Sequence, residues 1–328
     1  MDFRTTIRTP DNRQWLRHED ELMLIGSCFS DNIGSRLRAA MMLADVNPTG
    51  TVYNPMSVAA TVNRIIRNEP VAGMDMIEQG GMWFSYDFHS RYSMPDKQAA
   101  LTRMNRRIEA AHNHLKTSRA MIITLGTSVV YRLRSTGRVV ANCHKVPAAE
   151  FAREMASTGE ITRCLREMTE QLKSFRPDLH IIFTVSPIRH IADGLDQNSL
   201  SKARLRVAVS EIIEEFGARD VEYFPAYEIM LDDLRDYRFY AADMIHPSDV
   251  AIEYIWQAFQ ATYFDDRSAQ AVARCERVGK RLQHRPINPS REAHDRFNTD
   301  TRAVVRNLLR QYPYLDKIKE ISAITGDE

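Results

Sequence analysis

Short apolar runs recur along the chain, each closed by glycine or small polar residues. Leu22-Met-Leu-Ile25 runs into Gly26, Ala120-Met-Ile-Ile-Thr-Leu125 into Gly126-Thr-Ser128, and His180-Ile-Ile-Phe-Thr-Val185 into Ser186-Pro187. A fourth run, Val221-Glu-Tyr-Phe224, stops at Pro225. Runs of this length bounded by turn residues predict buried strands. Between them the apolar spacing changes to the helical period. Ile33, Leu37, Ala40 and Met41 predict a helix from Ser30 to about Met42, and further helices are expected over 56–67, 97–117, 148–156, 160–175, 199–217 and 249–264. Val129–Leu133 and Arg138–Ala141, around Ser135-Thr-Gly137, predict a hairpin. Apolar strands separated by helices point to a three-layer α/β/α, doubly wound parallel sheet. Residues 70–96 are rich in glycine and aromatics without a clean period and are expected to form an insertion folded over the sheet. The main domain is expected over 1–265, with a charged helical extension over 266–328 packing on it.

The polar and glycine residues that close the first three runs all fall at predicted carboxyl ends of strands, the edge where open parallel sheets bind ligands. Cys28 stands where the first strand turns into a helix. Partial positive charge at a helix N-terminus favours thiolate, and the N–H groups there can receive an oxyanion. Read locally, Cys28 is either a nucleophile or a small buried apolar residue, and Ser27 is either a rival nucleophile or a helix cap. Asp243-Met-Ile-His246 places a carboxylate three residues before an imidazole, the spacing of an orienting acid and a general base, and also of a simple turn. Gly50 is either the donor of an oxyanion N–H or a turn glycine; Thr127 and Ser128 either supply donors or satisfy the strand end. His144 and Lys145 are placed either at the pocket wall or in the framework. Arg189-His190 and Ser201-Lys202 are further polar clusters, with the Arg and Lys suited to a substrate carboxylate or phosphate.

Composition narrows the classes. The chain of 328 residues is 44% hydrophobic, enough for a packed core, and its 44 basic and 43 acidic residues leave a net charge of +1, no reason to expect nucleic acid. The four cysteines show no CxxC spacing, and Cys143-His144 lacks further ligands at zinc spacing, so neither metal nor cofactor is expected. The N-terminus has no apolar core of a signal peptide and no run reaches 18 apolar residues, so the expected compartment is the cytoplasm, without a membrane partner.

Several segments together resemble one family. Gly26-Ser-Cys-Phe-Ser30 is similar to the motif that names the GSCFA family, within the wider SGNH/GDSL hydrolase group. The resemblance continues through Asn47–Pro55, Thr124–Thr127, Asn142–Lys145, Thr184–His190, Ser201–Ala203, Leu234–Tyr240 and Asp243–Ser248, covering about residues 20 to 260. It implies a flavodoxin-like fold and an acyl-ester or thioester hydrolase or acyltransferase, acting on a small-molecule or carbohydrate acyl substrate. It implies that Gly50 takes the oxyanion glycine position and that Asp243 and His246 take the DxxH positions. Aligned on the group's Gly-Asp-Ser, Cys28 falls at the nucleophile, and the group's oxyanion asparagine falls at Ser128, leaving a hydroxyl there or at Thr127. Two other readings remain: a binding module that kept the fold, and a redox thiol at Cys28 with Cys143 as resolving partner.

Overall fold

The computed structural model describes residues 5–283 and 291–318. In chain order the elements are β1 (Leu22–Gly26), α1 (Cys28–Ala39), β2 (Ala44–Val46), α2 (Pro55–Arg67), β3 (Ile77–Gln79), β4 (Met82–Phe84), α3 (Lys97–Thr117), β5 (Ala120–Leu125), β6 (Val129–Leu133), β7 (Val139–Val140), β8 (Phe151–Met155), α4 (Thr158–Phe175), β9 (His180–Val185), α5 (Leu195–Phe216), β10 (Val221–Tyr223), α6 (Ala226–Glu228), α7 (Asp249–Tyr263), α8 (Asp266–Gln283) and α9 (Arg291–Gln311).

The central sheet has five parallel strands in the order β10-β9-β5-β1-β2. Counting only these strands along the chain, the order is 2-1-3-4-5, the flavodoxin-like doubly wound order. Side-chain alternation along β1 sorts the two helical layers. Leu22 and Leu24 face one layer, where Phe29, Ile33 and Leu37 of α1 meet Ile255, Trp256 and Phe259 of α7. Met23 and Ile25 face the other, built from α2, α3, α4 and α5. The three-layer α/β/α class is therefore the observed one. Because winding reverses between β1 and β5, the carboxyl ends of these two strands flank the switch point where such sheets hold ligands.

One element differs in kind from the sequence expectation. Residues 148–156, expected to be helical, form a short 3-10 turn (Ala148–Glu150) followed by β8, which pairs antiparallel with β6. Phe151 and Met155 have helical i, i+4 spacing, but pairing with Val129–Leu133 overrides the local preference of Ala148-Ala-Glu150. The resulting β7-β6-β8 sheet carries Val140 and Phe151 against Phe84 and Tyr86 of the insertion. Within the insertion, β3 and β4 form a hairpin. α8 and α9 pack through Ala271, Cys275, Val278, Val305 and Leu308 against Met41, just past α1, and His18 Nδ1 meets the Tyr314 hydroxyl at 2.8 Å. The part of the expected helical extension beyond 318 lies outside the described residues. Among the described residues no helix is long and apolar enough to cross a membrane.

Glu222, on edge strand β10, is a buried carboxyl that accepts from the Tyr263 hydroxyl at 2.7 Å and from Asn12. Burial pushes it up to about 7 from 4.5. Between these values the folded state keeps a proton that the unfolded chain has released, so stability falls as pH rises across that window and levels off above it. Glu222→Gln, which cannot ionise, is expected to remove this slope. Melting curves from about pH 5 to about pH 8 check it: the wild-type Tm should fall relative to the variant's, and parallel curves would refute the assignment.

Candidate active site

The first strand–helix turn is fixed by Ser27. Its side chain caps α1 by accepting from Phe29 N at 3.3 Å, and its own N–H bonds Thr124 O at 3.2 Å. Ser27 is 1% exposed. It acts as the cap, and the helix begins at Cys28, two residues before the expected Ser30. As first helical residue, Cys28 has an N–H without an intrahelical carbonyl to bond. Its side chain is half-buried and opens into a cavity of about 580 Å3 at the carboxyl edge of the sheet.

His246 lines the same cavity. Asp243 builds the turn that holds it: one carboxylate oxygen accepts from the N–H of Ile245 (2.9 Å) and of His246 (3.0 Å), and the other meets His246 Nδ1 at 2.6 Å. These two N–H groups, followed by the imidazole, hold the Asp243 carboxyl down to about 2. Nδ1 is thereby occupied, which leaves Nε2 as the ring nitrogen not engaged by Asp243. Arg189 N–H bonds Ile245 O at 3.2 Å and so ties this turn to the end of β9. The Arg189 guanidinium also lines the cavity and lies 3.9 Å from the centre of the Tyr240 ring.

Thr127 lines the cavity too, and its hydroxyl belongs to a countable network. Ser201 Oγ accepts from Ser128 N (2.8 Å) and from Ser128 Oγ (3.0 Å), so its own proton goes to Thr127 Oγ1 at 3.0 Å. Thr127 Oγ1 also accepts from Val129 N at 3.1 Å. With both lone pairs engaged, the Thr127 proton is the one left to donate. Beside it, Asn54 caps α2 through its Oδ1, which accepts from Ser57 N at 2.9 Å, and also lines the cavity.

Three expected residues have other roles. Ser128 is fully buried, and both its N–H and its hydroxyl are committed to Ser201, so it offers no oxyanion donor. Gly50 donates its N–H to Asn47 O at 2.8 Å and does not line the cavity. It is glycine because φ is +95° and a Cβ would lie 2.1 Å from His89 Cβ. His144 stacks on Phe84 at 4.1 Å, and its Nε2 reaches the carbonyls of Ser85 (3.0 Å) and Phe88 (2.8 Å); it fastens the insertion rather than lining the pocket. Lys202 does not line the cavity either. It is fully buried, with Nζ donating to Gly126 O at 2.6 Å and Ser186 O at 2.7 Å, and burial pulls it down to about 7. Cys143 does line the cavity, but burial pushes its thiol up. Among the described residues no group of three or more potential ligands for a metal ion occurs.

Residues 21–259 match the GSCFA family, and residues 275–325 match the description GSCFA domain protein, C-terminal domain. The chain belongs to the GSCFA family. No curated protein matches it. Among solved structures, an acetyl xylan esterase from the rumen bacterium Butyrivibrio proteoclasticus is similar at 11% identity and a TM-score of 0.37, over 77% of this chain and 64% of that one.

Two more residues line the cavity of this GSCFA member: Tyr53, which stands outside the set expected from its sequence, and His190, read there only as part of the Arg189-His190 polar cluster. Tyr53 places its hydroxyl 3.4 Å from Cys28 Sγ. It is the lone aromatic in the turn-rich stretch Asn47–Pro55, which was the available signal. His190 stands edge-on to Tyr53 with ring centres 5.9 Å apart, and its Nε2 is buried without a partner. Burial, then the charge of Lys202, pushes this imidazole down to about 4, so it is neutral near pH 7.

Proposed function

We propose that this protein is an acyl-transfer enzyme, a hydrolase or transferase of esters or thioesters, with Cys28 as nucleophile. The observation that carries this reading is the opening of Cys28 and of His246, the latter held by Asp243, into one cavity at the sheet's switch point. In the first half-reaction His246 Nε2 takes the thiol proton and the sulfur attacks the substrate carbonyl carbon, forming a C–S bond. The tetrahedral oxyanion collapses, the bond to the leaving group breaks, and His246 returns the proton to that leaving group. Water or an acceptor hydroxyl then attacks the thioester, with His246 as base, and frees the sulfur. Oxyanion donors are the Cys28 N–H and the Thr127 hydroxyl, with Asn54 beside them; losing one should lower the rate by about 10²–10³-fold. Val129, Val140 and Ile188 give the cavity an apolar flank suited to the acyl group of a small-molecule or carbohydrate ester.

Labelling with a generic activated ester, followed by peptide mass mapping, tests the assignment on wild type, Cys28→Ala, Ser27→Ala and His246→Ala. An adduct on Cys28 that depends on His246 is expected, and Ser27→Ala should still label. An adduct on Ser27 would overturn the choice of nucleophile. A second reading, a binding site that retains the fold without turnover, draws on one observation: among the described residues Cys28 Sγ has Tyr53 and not His246 as hydrogen-bond partner. A folded protein that binds esters without forming any adduct would favour it.

A further inference from the structure

Resting on the assignment of Cys28 as nucleophile, we propose that Tyr53 is a catalytic residue whose hydroxyl donates to the Cys28 sulfur and stabilises it as thiolate. The two atoms are 3.4 Å apart, within hydrogen-bond reach for sulfur. Tyr53 is held for this task at both ends. Its carbonyl accepts from Gly126 N at 2.7 Å and Thr127 N at 3.0 Å, which fastens its backbone to the end of β5. Its ring is wedged edge-on against His190, and the next residue, Asn54, caps α2.

Proton accounting gives the direction of the effect. The phenol also contacts Thr51 Oγ1 at 3.5 Å as donor. In the thiol state the S–H, a weak donor, points to the Tyr53 oxygen while the phenol proton faces Thr51. When the thiol proton leaves, to His246 or to solvent, the phenol O–H rotates about its C–O bond and donates to the sulfur. Thr51 in turn donates to the phenol oxygen. No proton crosses between Tyr53 and Cys28, and charge stays on sulfur. The hydrogen bond to the anion is much stronger than the one to the thiol, so the arrangement favours the reactive form. Burial, followed by the contact with Cys28, pushes the Tyr53 hydroxyl up to about 12, so it remains a donor near neutral pH. The other titratable groups around it are Asp31 on α1, His190 and Arg189 after β9, and His246.

Alkylation of Cys28 by iodoacetamide, read by peptide mapping across the pH range, tests this without an acyl substrate. Cys28→Ala identifies the labelled peptide. Tyr53→Phe is expected to slow labelling about tenfold near pH 7, with the difference closing at alkaline pH where the thiol ionises in both proteins. Thr51→Val should slow it less. Overlapping pH profiles for wild type and Tyr53→Phe, with matching Tm, would overturn the proposal. Should Tyr53→Phe fold poorly, a difluorinated tyrosine at position 53 keeps the shape and makes a stronger donor. Faster labelling at neutral pH is then expected, and an unchanged rate would equally refute the proposal. The two readings fail separately. An ester adduct independent of His246, with alkylation still dependent on Tyr53, sinks the acyl-transfer mechanism and keeps the Tyr53 role; the converse pattern does the opposite.

Discussion

His246→Ala is expected to lower acyl transfer from an activated ester by about 10²–10⁴-fold, the usual contribution of a positioned general base. Its side chain is 45% exposed, so its removal leaves no buried cavity, and Tm should barely move. The turn itself persists, because the backbone N–H groups of Ile245 and of residue 246 still bond Asp243. Loss of rate with retained fold is thus the signature sought, read from single-turnover kinetics beside a melting curve. The Asp243 carboxyl, held down to about 2 against 3.8 when unfolded, adds a sign. Its contribution to the turn is complete above about pH 4 and is lost only as pH falls toward about 2. Orientation of the imidazole by Asp243 therefore does not titrate above about pH 4, and Asp243→Asn, which loses that charged partner, should depress the rate. Undiminished turnover in His246→Ala would remove the base from the mechanism.

Gly26→Ala carries the second large effect, on stability. Gly26 has φ +149° and lies opposite Thr124 in the β1–β5 ladder. A Cβ there would lie 2.1 Å from the Thr124 carbonyl oxygen and 2.8 Å from its carbonyl carbon. Both are backbone atoms of the neighbouring central strand and have no rotamer to relieve the collision. The strands must separate where β1 turns into α1, and the Ser27 N–H to Thr124 O bond goes with them. A loss of about 4 kcal/mol or more is expected, near a third of a typical net stability. For a protein of this size that lowers Tm by roughly 6 °C or yields insoluble product. A soluble variant with wild-type Tm would show that the ladder can shift at small cost.

The central strands were legible because each is a mainly apolar run with a glycine or serine stop. β2 was not: Ala44-Asp-Val46 is three residues long, carries a charge, and is defined only by pairing with β1 at the sheet edge. β8 misled because its two apolar ends, Phe151 and Met155, keep helical spacing. The same division runs through the site. The strand–helix junction at Cys28 and the turn joining Asp243 to His246 were readable as structure because each is set locally along the chain. What failed was the assignment of partners. Ser128 is engaged by Ser201 from α5, Gly50 is shaped by His89 in the insertion, and His144 bonds carbonyls of Ser85 and Phe88. Each is a residue of the expected type whose hydrogen-bonding capacity is claimed from far along the chain, which no local pattern reports. Tyr53 is the converse case, an unremarked aromatic brought onto the sulfur by the β5 end.

Lys202 ties Gly126 to Ser186, the residues where β5 and β9 end. An internal amine donating to two carbonyls acts as a spacer of set width. Neighbouring strand ends so joined cannot spread to admit a bulkier group. The wall of the cavity itself is made elsewhere, by the β6–β8 side with Tyr131 and the Arg153–Asp193 ion pair, which that clamp leaves free to differ.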